Sequence, residues 1–180
     1  RDALTIDVVY EVDEGPRVYV ERIDIRGNVR TLDSVIRREF RVSEGDAFNT
    51  ALLRRSEQRI RNLGFFDTVE VRTQQGSAPD KVVIDVRVAE RSTGELSFGA
   101  GFSTTDGALG DVRLSERNLL GRGQDLRANF TLSQRRQQVD FSFTEPYFLD
   151  RNLAAGIDLV ARETDFQSEA SYVETLYSGT

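Results

Sequence analysis

Glu95-Leu-Ser-Phe-Gly-Ala-Gly-Phe-Ser103 alternates without a break. Leu96, Phe98, Ala100 and Phe102 fall on one side, and Ser97, Gly99, Gly101 and Ser103 on the other. Successive side chains of a strand point to opposite faces, so this period of two describes a strand with one apolar and one polar face. The pattern recurs downstream. In 111–115, Val112 and Leu114 oppose Asp111, Arg113 and Ser115. In 125–133, Leu126, Ala128, Phe130 and Leu132 oppose Arg127, Asn129, Thr131 and Ser133. In 138–144, Val139, Phe141 and Phe143 oppose Asp140, Ser142 and Thr144; in 153–161, Leu153, Ala155, Ile157, Leu159 and Ala161 oppose Gly156 and Asp158. Turn signals separate the segments at Asp106-Gly107, Gly121-Arg-Gly123, Arg135-Arg136 and Asp150-Arg-Asn152.

Two architectures accept such a run. A soluble antiparallel sandwich buries the apolar faces against a second sheet. A membrane barrel turns them to lipid, with strands of about 10 residues and polar faces toward the lumen. The polar faces here are rich in Gly, Ser, Thr, Asn and Asp, which tilts the reading toward the barrel and leaves the sandwich as its rival.

Upstream of Glu90 the period is different. Val18 to Ile25 reads as a strand ending at the turn signal Gly27-Asn28. Thr31 is placed to cap a short helix with Leu32, Ile36 and Phe40 on one face. Glu44-Gly45-Asp46 ends it. Asn49 is placed to cap a second helix with Leu53, Ile60 and Leu63 inward, Glu57 and Arg61 as an exposed i, i+4 pair, and Gly64 just past its end. Strands follow at Phe66 to Thr73 and Lys81 to Val88. Strand, helix, helix, strand, strand makes an α+β module, a small sheet covered on one face by two helices. Before it, Leu4 to Val12 reads as a strand broken at Pro16. With strand-like sequence also reaching Tyr177, the chain is expected to be an internal fragment of a longer protein.

Composition narrows the function classes. The net charge of -6 makes nucleic acid a poor partner. Cys and His are both absent, which removes thiolate sites, most zinc sites and the usual Ser-His and Cys-His pairs. No stretch approaches the roughly 20 apolar residues of a spanning helix. Glu145 and Asp140 could act as acids, but nothing pairs them at a recognisable spacing. Gly99-Ala-Gly101 lacks the third glycine and the helix of a phosphate loop.

Arg26-Gly-Asn28, Val35-Ile-Arg-Arg-Glu-Phe40 and Asn62-Leu-Gly-Phe-Phe-Asp67 resemble a POTRA domain. Val88-Ala-Glu-Arg91 with Gly94 and Phe98-Gly-Ala-Gly101 resembles the junction into the barrel of outer-membrane-protein assembly factors, the POTRA plus β-barrel superfamily. Asn118-Leu-Leu-Gly-Arg-Gly123 and Thr144-Glu-Pro-Tyr-Phe148 resemble early barrel strands of that family. The two-partner secretion transporters and the autotransporter assembly factor share the architecture and are its close competitors.

The resemblance implies an α+β POTRA domain (β-α-α-β-β) followed by antiparallel strands of an incomplete transmembrane β-barrel. Residues 1–14 would end a preceding POTRA domain, 15–91 would form the membrane-proximal one, and 92–180 would begin a sixteen-stranded barrel. It further implies a Gram-negative outer-membrane location with the POTRA part in the periplasm. The implied role is folding and inserting outer membrane proteins without ATP and without a cofactor, catalytic residue or metal. The implied partners are unfolded outer-membrane clients, accessory lipoproteins and outer-membrane lipid, with no nucleic acid. The physical idea is strand addition, in which a client satisfies the unpaired N–H and C=O groups of an edge.

The first barrel strand, Glu95, Leu96, Ser97, Phe98, Gly99, Ala100, Gly101 and Phe102, is the candidate template. Its glycines have an equal alternative reading as relief of crowding inside a barrel. A second candidate edge is Phe66, Asp67, Thr68, Val69, Glu70 and Val71, unless neighbours shield it. Glu44 matches the region that faces accessory lipoproteins, against the plainer reading of a solvated loop acid. Tyr147-Phe148 could belong to an interfacial aromatic belt or to ordinary packing. Arg135-Arg136 and Asp150-Arg151 read as solvated turn charges.

Overall fold

The computed structural model describes residues 17–165 and 173–180. The strand expected over Leu4 to Val12, and with it the segment 1–14, lies outside the described residues.

The first part of the chain folds as β1 (Tyr19–Arg26), α1 (Asp33–Arg37), α2 (Thr50–Asn62), β2 (Phe66–Gln75) and β3 (Lys81–Glu90), the order expected. β3 is central, parallel to β1 and antiparallel to β2. Its alternate residues Val82, Ile84, Val86 and Val88 face the helices and meet Val20, Ile23, Val35, Ile36, Ile60 and Val69 in one core. α2 forms as its sequence dictates. The Asn49 side chain accepts from the N–H groups of Ala51 at 2.9 Å and Leu52 at 3.1 Å, supplying the missing partners of the first turn. Leu53 and Ile60 point inward, and Arg61 pairs with Glu57 at 2.6 Å. Gly64 follows with φ +70°, the left-handed geometry that a helix C-terminus favours in glycine.

α1 departs from expectation. Leu32 is the residue at its N-cap position, no side chain caps it, and the helix has five residues. Of the expected stripe, Ile36 is buried beside Val35 and Phe40 packs partly buried against the core, while Leu32, ahead of the short helix, faces outward with its N–H given to Gly121 O. The Thr31 hydroxyl serves elsewhere, as described below.

The second part is a meander of β4 (Gly94–Ser103), β5 (Gly107–Leu119), β6 (Gln124–Ser133), β7 (Arg136–Glu145), β8 (Ala155–Asp165) and β9 (Val173–Gly179). All neighbours are antiparallel, in chain order, and the six-stranded sheet is open. Leu153, expected in a strand, precedes β8, because the connection from β7 first winds through a 3-10 turn at Phe148–Asp150. The register gathers the alternating residues into rows. Phe98, Val112, Phe130, Val139, Ala161 and Tyr177 lie side by side on one face. Ser97, Arg113, Asn129 and Asp140 form a row on the other, where Asn129 Nδ2 donates to Asp140 at 3.1 Å. Among the described residues nothing covers the apolar face: Phe98 is 73% and Phe102 79% exposed. An uncovered face of this kind disfavours the sandwich and is the one a bilayer covers in a transmembrane barrel.

Ile60→Ala, at a fully buried site, is expected to destabilise the α+β module by about 2–5 kcal/mol. Gly27→Ala should also destabilise it, because residue 27 has φ +93° and an added Cβ would lie 2.0 Å from Val88 O. Protease resistance of this module across a urea series checks both, and wild-type midpoints would contradict the placement.

Candidate functional site

Three features of the structure concern pairing and docking: the edge of β4, the edges of the small sheet, and the seam between the two sheets.

β4 carries all of Glu95 to Phe102 and has one partner, β5, among the described residues. Its two glycines are not equivalent. The Asp111 carboxylate lies over Gly99, so that an added Cβ would stand 2.2 Å from Asp111 Oδ1. Asp111 in turn pairs with Arg113 at 3.1 Å. At Gly101 the nearest atom to an added Cβ would be Leu109 Cδ1 at 3.5 Å, an ordinary contact. Gly99 therefore makes room for a cross-strand neighbour, whereas Gly101 leaves its stretch of the edge thin.

In the small sheet both β1 and β2 are outer strands, but they are treated differently. Segment 44–48 runs along β1. Gly45 N–H donates to Val20 O at 2.7 Å, Val20 N–H to Asp46 O at 2.9 Å, and Phe48 N–H to Val18 O at 2.7 Å. Glu44 Oε1 accepts from Ile23 N–H and from Arg37 Nη1, each at 3.1 Å. Glu44 thus covers one N–H of the β1 edge while half of its side chain stays in solvent. β2, with Phe66 to Val71, pairs only with β3 among the described residues. On its side Arg61 Nη2 reaches Val69 O at 2.6 Å.

The seam is built by the two turns that return the meander to the small module. Asn118, at the end of β5, is buried: its Nδ2 donates to Thr31 Oγ1 at 2.9 Å and its Oδ1 accepts from Gly123 N–H at 2.8 Å. This bond explains why Thr31 does not cap α1. Gly121, at φ +72°, is pressed onto Arg30 O so closely that an added Cβ would lie 1.9 Å away. Glu90, at the end of β3, accepts from Thr31 N–H at 2.6 Å and from Arg30 N–H at 2.9 Å. Burial opposes the charge of Glu90. The N–H groups of Thr31 and Arg30, the Thr31 hydroxyl and the Arg30 charge outweigh that and hold its carboxyl below the ordinary value.

The second turn, after β7, brings Tyr147 to the helices. Arg38 stacks on its ring at 4.1 Å, and its hydroxyl donates to Glu39 Oε1 at 3.3 Å. Glu39 is buried and pairs with Arg59 at 2.7 Å. Tyr147 is therefore half-buried against the helices, while Phe148 beside it remains exposed. Asp140 bonds Asn129 and Gln138, and Glu145 bonds Gln124 and the Tyr147 N–H, so the two acids belong to separate networks. Asn118, Thr31, Glu39 and Glu90 are the residues whose role was not read from sequence. The Asn118–Thr31 bond spans 87 positions, and only the Gly-Arg-Gly after Asn118 hinted at a close approach.

A β-α-α-β-β module fixed through two turns to a transmembrane antiparallel meander defines a POTRA-bearing barrel protein. Residues 18–91 match the POTRA family, surface antigen variable number repeat, and residues 118–180 match the Omp85 superfamily domain. The chain thus carries a POTRA domain and part of an Omp85 superfamily domain. It is 35% identical over 162 residues to the outer membrane protein assembly factor BamA of Neisseria meningitidis, covering 89% of this chain and 20% of that protein. It is 36% identical over 161 residues to BamA of Nitratidesulfovibrio vulgaris, covering 88% of this chain and 20% of the relative. The crystal structure of Haemophilus ducreyi BamA lacking POTRA domains 1–3 superposes with a TM-score of 0.77 at 31% identity, over 93% of this chain and 32% of that one. The chain spans about a fifth of the length of the curated relatives it matches.

The lowered pKa of Glu90 gives the seam a pH dependence. Its stabilisation is complete above the unfolded value of about 4.3 and is lost as pH falls through the lower folded value. Proteolysis of the segment 90–94 is expected to accelerate on acidification below the unfolded value, and Glu90→Gln should be sensitive already at neutral pH. Identical cleavage of the variant and the parent at pH 7 would count against this role.

Proposed function

We propose that this chain is the membrane-proximal part of an outer-membrane-protein assembly factor. In this reading residues 15–91 are the POTRA domain next to the membrane and lie in the periplasm, and 92–180 are the first strands of the barrel in the outer membrane. The protein folds and inserts client barrels by strand addition, without ATP and with no catalytic residue of its own. Its relatives named BamA are assembly factors, which supports a protein-handling role over an enzymatic one.

The observation that carries the reading is the single-partnered β4 held beside the POTRA sheet by the seam. In hydrocarbon an unpaired N–H or C=O costs several kcal/mol, so an incoming client strand gains by pairing there. Residues Glu95 to Phe102 would supply the template. Phe66 to Val71 of β2 would offer a second edge to an extended segment, since the β1 edge is already covered by 44–48. Glu44, half exposed and anchored by Arg37, would present its free face to an accessory lipoprotein of the assembly complex.

Gly101→Pro in the intact protein, at parental abundance, is expected to abolish insertion of client barrels, read as loss of heat-modifiable clients in the outer membrane. Proline removes an N–H from the template, whereas Gly101→Ala, which fits at 3.5 Å from Leu109, should remain active. Normal insertion by the proline variant would sink strand addition at β4. Photo-cross-linking from position 44 in the assembled complex should yield an adduct with an accessory lipoprotein, and absence of any adduct would remove Glu44 from the contact.

A further inference from the structure

A groove of about 730 Å³ lies where the outer, apolar face of the meander meets α1, within the usual range for a small-ligand site. We propose that it binds the headgroup of a zwitterionic phospholipid of the periplasmic leaflet, phosphate on Arg38 and Arg122, ammonium on Glu145 and Asp150. The proposal rests on the transmembrane reading of the meander but is independent of client insertion.

Continuity with the lipid-facing surface is the first support. Phe143 and Ile157 line the groove and are cross-strand partners on the apolar face. They are followed along β7 and β8 by Phe141 and Leu159, also paired. An acyl chain packed on this face would lead its headgroup into the groove. The charges there match a zwitterion better than a simple anion, because the lining holds two guanidinium and two carboxylate groups. Glu145 is held in place by Gln124 Nε2 at 2.7 Å and the Tyr147 N–H at 3.0 Å. Arg38 is held by the Tyr147 ring and the Arg122 carbonyl, and its Nε is buried without a partner. Among the described residues Arg122 and Asp150 are engaged in no ion pair.

Backbone strain is the second support. Leu149 and Asp150, on the rim, have φ +56° and +57°, a left-handed conformation that non-glycine residues rarely adopt. Leu149 is also 73% exposed, so no packing among the described residues accounts for its placement. An apolar side chain held out on a strained turn beside the membrane-facing surface suits contact with lipid.

The test uses the intact protein in nanodiscs made of equal amounts of phosphatidylethanolamine and phosphatidylglycerol with the same acyl chains. Native mass spectrometry after release counts the lipids that stay bound. The parent should retain phosphatidylethanolamine over phosphatidylglycerol. Arg122→Gln, at an exposed side chain, should lower that retention about tenfold, the loss of one charge-assisted contact. Asp150→Lys should shift the preference toward phosphatidylglycerol. Equal retention of both lipids by the parent, or parental retention by both variants, would overturn the proposal. Client insertion measured on the same preparations separates the two readings. Insertion without selective lipid retention defeats only the lipid site, and lipid retention without insertion defeats only the assembly function.

Discussion

Every backbone N–H and C=O removed from water needs a partner, and the arrangement of this chain follows from where those partners are and are not supplied. Within each sheet the ladders supply them. At the boundaries the chain treats its edges unequally. The outer side of β1 is covered by segment 44–48 and by the Glu44 carboxylate. β2 receives a side-chain donor from Arg61 at Val69 O. β4 has one neighbour among the described residues. A protein avoiding strand addition would blunt all its edges. Among the described residues this one covers the edge facing its own loop, while β2 and β4 each pair with one strand.

Such an edge is useful only if its position is controlled, which gives the seam its importance. The buried Asn118 amide bonds Thr31 on one side and Gly123 on the other, so one side chain ties a barrel turn to the start of α1. Glu90 fixes the N–H groups of Arg30 and Thr31 from the last POTRA strand, and Tyr147 seals the second turn against Glu39 and Arg38. The Asn118 contacts are buried and those of Thr31 with Glu90 and Tyr147 with Glu39 are partly buried, so leaving one unmade would cost desolvation of its group. They define one orientation better than an apolar contact could, since apolar packing tolerates sliding. Gly121 and Gly123 permit the approach, having no Cβ to collide with Arg30 O or with the Arg38 side chain.

Legibility in the sequence followed the range of the interaction. The α2 helix, its Asn49 cap, the Glu57–Arg61 pair and Gly64 were readable because each is completed within a few positions. The alternating segments were readable because a half-buried strand writes its period into neighbouring residues. The cap of α1 was misread, since the bond that draws Thr31 away from capping comes from Asn118. Tyr147 was open to two readings because an aromatic residue beside a turn fits a belt or a packed seam, and its contacts with Arg38 and Glu39 come from more than a hundred positions away.

The sequence by itself determined the two periodicities, the order of the elements and the apolar face of the meander, because these depend on side-chain direction along a local backbone. Motif order added the superfamily. The tertiary structure alone decided, among the described residues, which edge is covered, which glycine makes room for a neighbour, and how the two sheets are joined. Those properties depend on contacts between residues distant in the chain. A single sequence records the partners of such contacts without recording that they meet.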